Sequence, residues 1–173
     1  MREILFRGKG TCGLNAGDWI YGYYVKDFWK PTRCGCGIIP IDKERGGYCE
    51  VNPSTIGQYT GLTDKNGNKI FEGDIVKSCE YDDIYTIKYF DDDNYPAFDC
   101  VPEVPSCECN GLTFLVNTEG CEIIGNIYDN PKFMFQNCSN LTAIPQLDTS
   151  NGTDFSSMFN SCTNLTTIPQ IES

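Results

Sequence analysis

Cysteine is the residue type whose number and spacing could do chemistry in this chain of 173 residues. Cys34 and Cys36 form a close pair, and Cys12 and Cys49 lie on either side of that pair. A structural zinc ion is held by four ligands in a tetrahedron, and four thiolates are one common set. These four cysteines are therefore a candidate zinc site. Paired zinc ligands usually have two or more residues between them, so the alternative, reduced thiols without metal, stays open.

Catalytic machinery is not indicated. The chain contains no histidine, which is the usual base for a serine or cysteine nucleophile and the commonest metal ligand. Its glycines form neither of the two common phosphate-binding motifs. The run Asp91–Asp93 lacks the spacing of a calcium-binding loop and is typical of a solvated loop. We predict that the protein is not an enzyme and needs no cofactor, apart from the candidate zinc.

The abundance of tyrosine, phenylalanine and glycine predicts short strands joined by turns. These elements must position the candidate residues. Residues 84–90 alternate in the two-residue period of a strand, Asn66-Gly67 suits a tight turn, and Gly73 permits a sharp bend. Residues 91–111 are predicted to be an irregular loop. Seven strands are predicted, at residues 2–7, 18–25, 38–41, 74–77, 84–90, 112–116 and 122–128. Many short strands without a long helix favour a barrel or a sandwich, with a buried core that includes Ile75, Tyr85, Ile87, Leu115, Ile124 and Ile127.

Aromatic residues are concentrated in the second predicted strand and just after it. The candidate interaction residues there are Trp19, Tyr21, Tyr23 and Trp29. Strand alternation should bury either the odd-numbered set Trp19, Tyr21 and Tyr23 or the alternate set Ile20 and Tyr24. The aromatic cluster is therefore either a face that binds extended peptides, as in barrels with aromatic grooves, or part of the core.

Charge is distributed unevenly along the chain. The formal net charge is −11. Residues 1–77 hold eleven Lys and Arg against nine Asp and Glu, whereas residues 78–130 hold one against twelve. Acidic surface repels a phosphate backbone, so nucleic-acid binding is not expected of the chain as a whole and stays open as an alternative only for the first segment.

An internal repeat with a period of 24 residues begins at Met134 and returns at Met158. Nine of its sixteen aligned positions are identical. Apolar residues recur every three positions, as in the coils of a solenoid, and this period is typical of leucine-rich repeats. In the second copy, Leu165, Ile168 and Ile171 are candidate interaction residues, because two coils leave one stacking face uncovered.

Two family resemblances follow from these residues. Residues 1–131 resemble the YopX family of phage and prophage proteins, in Trp19-Ile20-Tyr21-Gly22-Tyr23, Gly57-Gln58-Tyr59-Thr60-Gly61-Leu62, Ile70-Phe71-Glu72-Gly73-Asp74-Ile75-Val76 and Ile124-Gly125-Asn126-Ile127-Tyr128. That resemblance implies a small SH3-like antiparallel β-barrel and no catalytic residues. Residues 132–173 resemble two BspA-like leucine-rich repeats, whose pattern is Met-Phe-x-x-Cys-x-x-Leu-x-x-Ile-Pro.

The predicted function is that of a phage-encoded accessory protein that acts by protein–protein contact, with a partner or with itself through the repeats. A virion component with outward-facing repeats and an SH3-like nucleic-acid binder are the alternatives. The charged N-terminal residues do not form a secretory signal core, and the chain has no apolar run of membrane-spanning length. We therefore expect the protein in the cytoplasm of the infected host or in the virion, and not in a membrane.

Overall fold

The computed structural model describes residues 3–26, 36–45, 47–91, 96–104, 110–130, 156, 158–160 and 162–167. Within these ranges the chain is mainly β, with ten strands. The strands are Phe6–Lys9 (β1), Trp19–Lys26 (β2), Cys36–Pro40 (β3), Cys49–Glu50 (β4), Gly57–Thr63 (β5), Lys69–Phe71 (β6), Asp74–Ser78 (β7), Ile84–Phe90 (β8), Ala97–Val101 (β9) and Cys121–Asn126 (β10). The helical elements of the described residues are the α-helix Gly111–Phe114 (α1), the π-helical turn Leu115–Glu119, and three short 3₁₀ turns at Gly13–Asn15, Lys43–Arg45 and Pro53–Thr55.

The chain divides into two compact units. The first contains Met1–Leu62 and Lys69–Glu72, and the second contains Thr63–Asn68 and Gly73–Ser173. The turn between β5 and β6 therefore belongs to the second unit, although both strands it joins lie in the sheet of the first. The predicted domain boundary after residue 131 falls outside the described residues and stays a prediction.

The first unit is built on a six-stranded sheet with the order β4-β3-β2-β1-β5-β6. In β2, Gly22 lies opposite Pro40 of β3 and Phe6 of β1. A Cβ atom at Gly22 would lie 2.0 Å from the carbonyl oxygen of Ile39, so only glycine permits this approach. One face of the sheet packs a hydrophobic cluster of Ile20, Ile38, Cys49 and Val51, against which Phe6 and Ile56 also pack.

The second unit contains a four-stranded antiparallel sheet with the order β10-β7-β8-β9. Four of the six positions predicted to be buried, Ile75, Tyr85, Ile87 and Leu115, are buried, whereas Ile124 and Ile127 are half-buried. Gly73 adopts a φ of +81°, the left-handed region that side chains with a Cβ rarely enter. The sharp bend predicted at Gly73 is thus present, and Gly67 in the predicted Asn66-Gly67 turn has a φ of +82°.

Several outward backbone groups on both edge strands of this second sheet have hydrogen-bond partners within the same unit. Along β10, the Cys121 carbonyl accepts from the Lys65 amide at 2.9 Å and the Ile123 amide donates to the Asp64 carboxylate at 3.3 Å. Along β9, the Phe98 carbonyl accepts from the Asn110 side chain at 2.7 Å, and the Cys100 amide donates to the Asp99 carboxylate at 2.8 Å. These four outward backbone groups of β9 and β10 are thus satisfied locally.

Asp64 organises the turn that binds β10. Its carboxylate accepts hydrogen bonds from the backbone amides of Asn66, Asn68 and Ile123 and from the Asn68 side chain. Burial acts to raise the pKa of this carboxyl, but the hydrogen bonds from Asn68, Ile123 and Asn66 outweigh burial and hold its pKa below the ordinary value of 3.8. The turn is consequently held by an ionised, well-bonded side chain.

Three expectations from the sequence need correction. The described strands form two open antiparallel sheets and not a closed SH3-like barrel, because each sheet ends in edge strands. Residues 112–116 lie in α1 and the following π-helical turn and not in a strand, because the Asn110 side chain caps the helix by accepting from the Thr113 amide. The segment 91–111, predicted to be irregular, contains strand β9.

The predicted repeats lie largely outside the described residues. Within the described part of the second copy, the Cys162 amide donates to the Phe159 carbonyl and the Leu165 amide donates to the Cys162 carbonyl. These turns follow the three-residue interval of the sequence pattern. They describe too little of the tail to define a solenoid, which stays a prediction.

Candidate functional site

Three aromatic side chains of β2 lie on one face of the first sheet. Trp19, Tyr21 and Tyr23 alternate with Ile20 and Gly22, which are buried on the opposite face. Tyr21 is 40% exposed and Tyr23 is 54% exposed, whereas Trp19 is half-buried. The structure thus buries Ile20 and presents the odd-numbered set, which decides between the two patterns that strand alternation allowed.

Arg7 of β1 lies beneath this row. Its guanidinium carbon is 4.7 Å from the centroid of the Trp19 ring and 5.2 Å from that of Phe71. One guanidinium nitrogen, Nη2, donates to the Glu72 carbonyl at 3.2 Å. Arg7 is only 5% exposed, so its charge is stabilised by two aromatic rings and by hydrogen bonding. The consequence is that the Trp19 ring is held in a defined orientation.

Phe71 of the edge strand β6 lies on the same face of the sheet as the row. Its ring contacts Tyr21 edge-on, with centroids 5.4 Å apart, and packs against Tyr59 at 5.6 Å. Leu5, Tyr59 and Phe71 form a buried cluster. Tyr21 therefore has a fixed side toward Phe71 and an open side toward solvent, an arrangement common for aromatic residues that bind partners.

Lysine side chains lie at both sides of this surface. The Lys9 ammonium is 5.7 Å from the Trp19 ring centroid. The Lys69 ammonium lies 4.9 Å from the Tyr59 ring and 2.8 Å from the Glu3 carboxylate, and the hydrogen bond to Glu3 raises the pKa of Lys69. We call the surface made by Trp19, Tyr21 and Tyr23, with Arg7 and Lys9 beside them, the aromatic face.

The two units differ in net charge. The first unit holds nine Lys and Arg against seven Asp and Glu, a net of +2, and the second holds four against seventeen, a net of −13. The two values add to the net charge of −11 of the whole chain. The aromatic face thus belongs to the part of the chain that is not acidic.

The candidate zinc ligands have separate surroundings where they are described. Cys12 is exposed, with its sulfur 3.8 Å from a carboxylate oxygen of Glu50, whereas Cys36 and Cys49 are buried. The Cys36 thiol donates to the Val51 carbonyl, and Cys49 accepts from the Asn15 amide group at 3.3 Å. Among the described residues, no three His, Cys, Asp or Glu side chains converge on one point. Cys34 lies outside those residues, so the zinc site stays a prediction.

The remaining interaction candidates are only partly described. Leu165 is half-buried. Trp29, Ile168 and Ile171 lie outside the described residues. Sequence reasoning missed Arg7 and Phe71, which contact the aromatic row. Alternation does place Arg7 on the same face of its strand as Leu5 and Lys9, but the pairing of β1 with β2 could not be read from that pattern.

Comparisons with known proteins give one family and a structural likeness. The family described as YopX protein matches residues 23–134. The match begins after Gly22, so the resemblance seen in residues 1–22 is not part of it. The crystal structure of protein EF1440 from Enterococcus faecalis is similar over 76% of this chain and 97% of that chain, with 24% identity and a TM-score of 0.46. A comparison with curated proteins gave no match. None of the helices in the described ranges has the length and hydropathy needed to cross a membrane.

Proposed function

The chain belongs to the YopX family, and from that premise we propose that it is a phage-type, non-enzymatic protein-interaction module whose binding surface is the aromatic face. The observation that carries this proposal is the exposure of Tyr21 and Tyr23 next to an anchored Trp19. Tyrosine, tryptophan and arginine are enriched at the energetic centres of protein interfaces. The proposal that catalysis is absent rests on the sequence, which lacks histidine and any nucleophile motif.

The geometry of the aromatic face supports binding in two ways. Arg7 and Phe71 hold Trp19 and Tyr21 from below, so little side-chain freedom is lost when a partner binds. Tyr23 offers a large ring whose hydroxyl can also form hydrogen bonds. A preorganised row of rings is what a specific but shallow contact requires.

The C-terminal tail is proposed as a second contact surface. Its two sequence copies are proposed to form BspA-like leucine-rich coils over residues 132–173, with Leu165, Ile168 and Ile171 on the uncovered side. The support is the repeat itself. A tail of this kind would bind a partner or a second copy of the chain.

A second candidate function, single-stranded nucleic-acid binding, is favoured by one observation. Lys9 and Arg7 lie beside an aromatic row, and stacking rings next to cations are the usual elements of single-strand binding surfaces. The acidic second unit opposes this reading, since it would repel a phosphate backbone.

Site-specific photo-crosslinking tests the proposed function. A benzophenone amino acid is placed at Tyr23, or at the more exposed Tyr81 of the second unit as a control, in full-length protein produced in host cells that carry the phage. We expect a discrete, nuclease-resistant protein adduct from position 23 and not from position 81. Mass spectrometry of the adduct and of purified virions identifies the partner and separates an intracellular role from a virion role.

Two results would count against the proposal. A nuclease-sensitive adduct at position 23 assigns the aromatic face to nucleic acid. Adducts from position 81 alone show that the binding surface lies elsewhere, and the aromatic face then has no role in binding.

A further inference from the structure

Apolar side chains continue the aromatic face onto the neighbouring strand β3. Ile39 lies directly opposite Tyr23 in the pairing of the two strands, and the Ile41 amide donates to the Tyr21 carbonyl at 3.0 Å. Residues directly opposite each other on antiparallel strands share one face of the sheet. Ile41 is 48% exposed and Ile39 is half-buried. We call the four side chains that meet here the β2–β3 patch: Tyr21, Tyr23, Ile39 and Ile41.

The open area of the β2–β3 patch is that of a small contact. An aromatic side chain has about 150–250 Å² of surface to bury, so the exposed parts of the two tyrosines and of Ile41 amount to about 300 Å². A stable interface buries about 800 Å² on each partner. The patch is therefore too small to hold two copies of the chain together by itself, and its size fits one secondary-structure element of a partner.

The backbone around the patch offers little to an extended segment. Strand β2 pairs with β1 on one side and with β3 on the other, so its backbone groups are bonded within the sheet. On β3, the Ile41 amide is bonded to β2, and Pro40 has no N–H group to donate. An extended segment laid on this face would bury backbone groups without partners. A helix avoids that cost, because its backbone hydrogen bonds are internal.

The dimensions of the patch match one side of an α-helix. Tyr21 and Tyr23 are two residues apart on a strand, a distance of about 6.6 Å, and helix positions four residues apart are separated by about 6 Å along the axis. Two strands about 4.8 Å apart support one helix, whose diameter is about 10 Å. All four side chains of the patch are uncharged, as is typical of the centres of protein interfaces. Burial of apolar surface, and not charge, therefore selects the partner here.

From these observations we infer that the β2–β3 patch binds an amphipathic α-helix of a partner protein, with the apolar stripe of the helix along Tyr21 and Tyr23 and in contact with Ile39 and Ile41. This inference rests on the proposed function and specifies its partner. It adds two isoleucines to the binding surface. It also implies that binding depends only weakly on salt, because no exposed charge pair is required.

Fluorescence anisotropy with labelled peptides of about sixteen residues, long enough to form a helix, tests the inference on the full chain. One peptide is an alanine- and glutamine-rich helix with leucines in a single stripe. A second has the same composition with its leucines scattered around the helix, and a third contains two prolines that prevent a helix. We expect the striped helix to bind about tenfold more tightly than either of the others, because only it buries a continuous apolar stripe. Its affinity should change less than about twofold between about 0.05 and 0.5 M salt.

Ile41→Ser separates the patch from the aromatic row alone. This substitution leaves all three rings in place and should weaken binding of the striped helix about fivefold, as loss of an interface contact does. Leu14→Ser is the matched control, because Leu14 is a fully exposed apolar residue in the turn Gly13–Asn15, outside the patch. It should leave the affinity unchanged. Near-ultraviolet circular dichroism confirms that each variant is folded before its affinity is compared.

Crosslinks from two positions report the shape of the partner found in cells. The benzophenone amino acid is placed at Tyr21 in one variant and at Tyr23 in another, and tandem mass spectrometry locates the partner residue attached to each. Because the two positions are about 6.6 Å apart, a bound helix gives attachment sites about three or four residues apart in the partner sequence. A bound extended segment gives sites about two residues apart.

The outcomes separate the inference from the function on which it rests. Equal binding of the striped and scattered helices, unchanged affinity in Ile41→Ser, or attachment sites two residues apart overturns the helix inference, whereas a protein adduct at position 23 still supports the proposed function. Absence of any protein adduct, or adducts that nuclease removes, overturns both.

Discussion

The guanidinium carbon of Arg7 lies 4.7 Å from the centroid of the Trp19 ring, although the residue directly opposite Trp19 across the two strands is Lys9 and the residue opposite Arg7 is Tyr21. The contact is thus diagonal, and it turns a buried cation into the support of an aromatic row. A diagonal pair of this kind is within reach only of long or aromatic side chains.

Removal of this cation should loosen Trp19. Arg7→Met keeps the length of the side chain but removes the charge and the hydrogen bond to the Glu72 carbonyl. We expect a loss of about 1–3 kcal/mol in the free energy of unfolding, from the lost cation–π contacts and hydrogen bond. Urea unfolding and Trp19 emission, measured in a Trp29→Phe background, report the two effects. Unchanged emission and stability would show that Arg7 does not hold the ring.

Replacement of Gly73 should destabilise the second unit. Gly73→Val forces a β-branched residue into a φ of +81°, with the new Cβ 3.4 Å from the Tyr128 ring. We expect a loss of about 1–3 kcal/mol, the usual cost of such backbone strain. Gly47→Val is the control, because a Cβ at Gly47 meets no atom within 4 Å and its φ lies outside the left-handed region. Equal melting temperatures for the two variants would contradict the strained turn.

Strand alternation predicted most of the strands because it is a local property. It could not reveal which face of β2 would be exposed, since that choice depends on Ile38, Cys49 and Val51, which pack against Ile20 from other segments of the chain. Strands β4, β5, β6 and β9 were not among the predicted ones. The segment of β9 was taken for a loop because it is rich in prolines, cysteines and acidic residues. The segment after Asn110 was taken for a strand because its residues are apolar, and the capping side chain of Asn110 was the signal that could have corrected this.

Asp64 should make stability depend on pH in the acid range. Its folded pKa lies below the ordinary value of 3.8, so its stabilising contribution is complete above the unfolded pKa and is lost as the pH falls through the folded pKa. Asp64→Ala should cost about 1–3 kcal/mol at neutral pH and much less in acid. Asp91→Ala removes an exposed carboxylate as a control. Urea unfolding at neutral pH and in acid measures the difference, and a loss that does not shrink in acid would contradict this role.

The exposed cysteines should react before the buried ones. Cys12 and Cys79 are exposed, whereas Cys121 is buried, and burial, followed by the nearby Asp64 and Cys79, raises the pKa of the Cys121 thiol to about 11. At about pH 8, near the pKa of a free thiol, iodoacetamide should label Cys79 within minutes, and Cys12 equally fast if it holds no metal, and should spare Cys121 until the protein is unfolded. Peptide mapping by mass spectrometry shows the order of labelling.

The same labelling tests the candidate zinc site. A bound metal would protect Cys12 from labelling until a chelator is added. Elemental analysis of the protein before chelation would find about one zinc per chain. Rapid labelling of Cys12 without chelator, together with protein that contains no zinc and remains folded, would leave Cys12 and its predicted co-ligands as free thiols.

The C-terminal repeats should mediate association. We expect full-length protein to associate with itself or with a partner, and Leu165→Asp to weaken that association without unfolding the sheets, because an unpaired carboxylate is costly in an apolar contact. Thr167→Asp is the control at an exposed position two residues away. Analytical ultracentrifugation across a range of concentrations measures self-association. If the full-length protein is a stable monomer, and if neither variant changes the amount of partner recovered with it, this coil is not an interface.

The hydrogen bonds along the outer edges of β9 and β10 have a consequence for how this protein can assemble. The Phe98 and Cys121 carbonyls and the Cys100 and Ile123 amides already have partners, so a strand from another molecule could pair there only by displacing them. At these positions the four-stranded sheet is thereby protected against edge-to-edge pairing that would extend into fibres. Contacts with other molecules at these positions must instead use side chains, which single substitutions can alter without disturbing the backbone of the sheet.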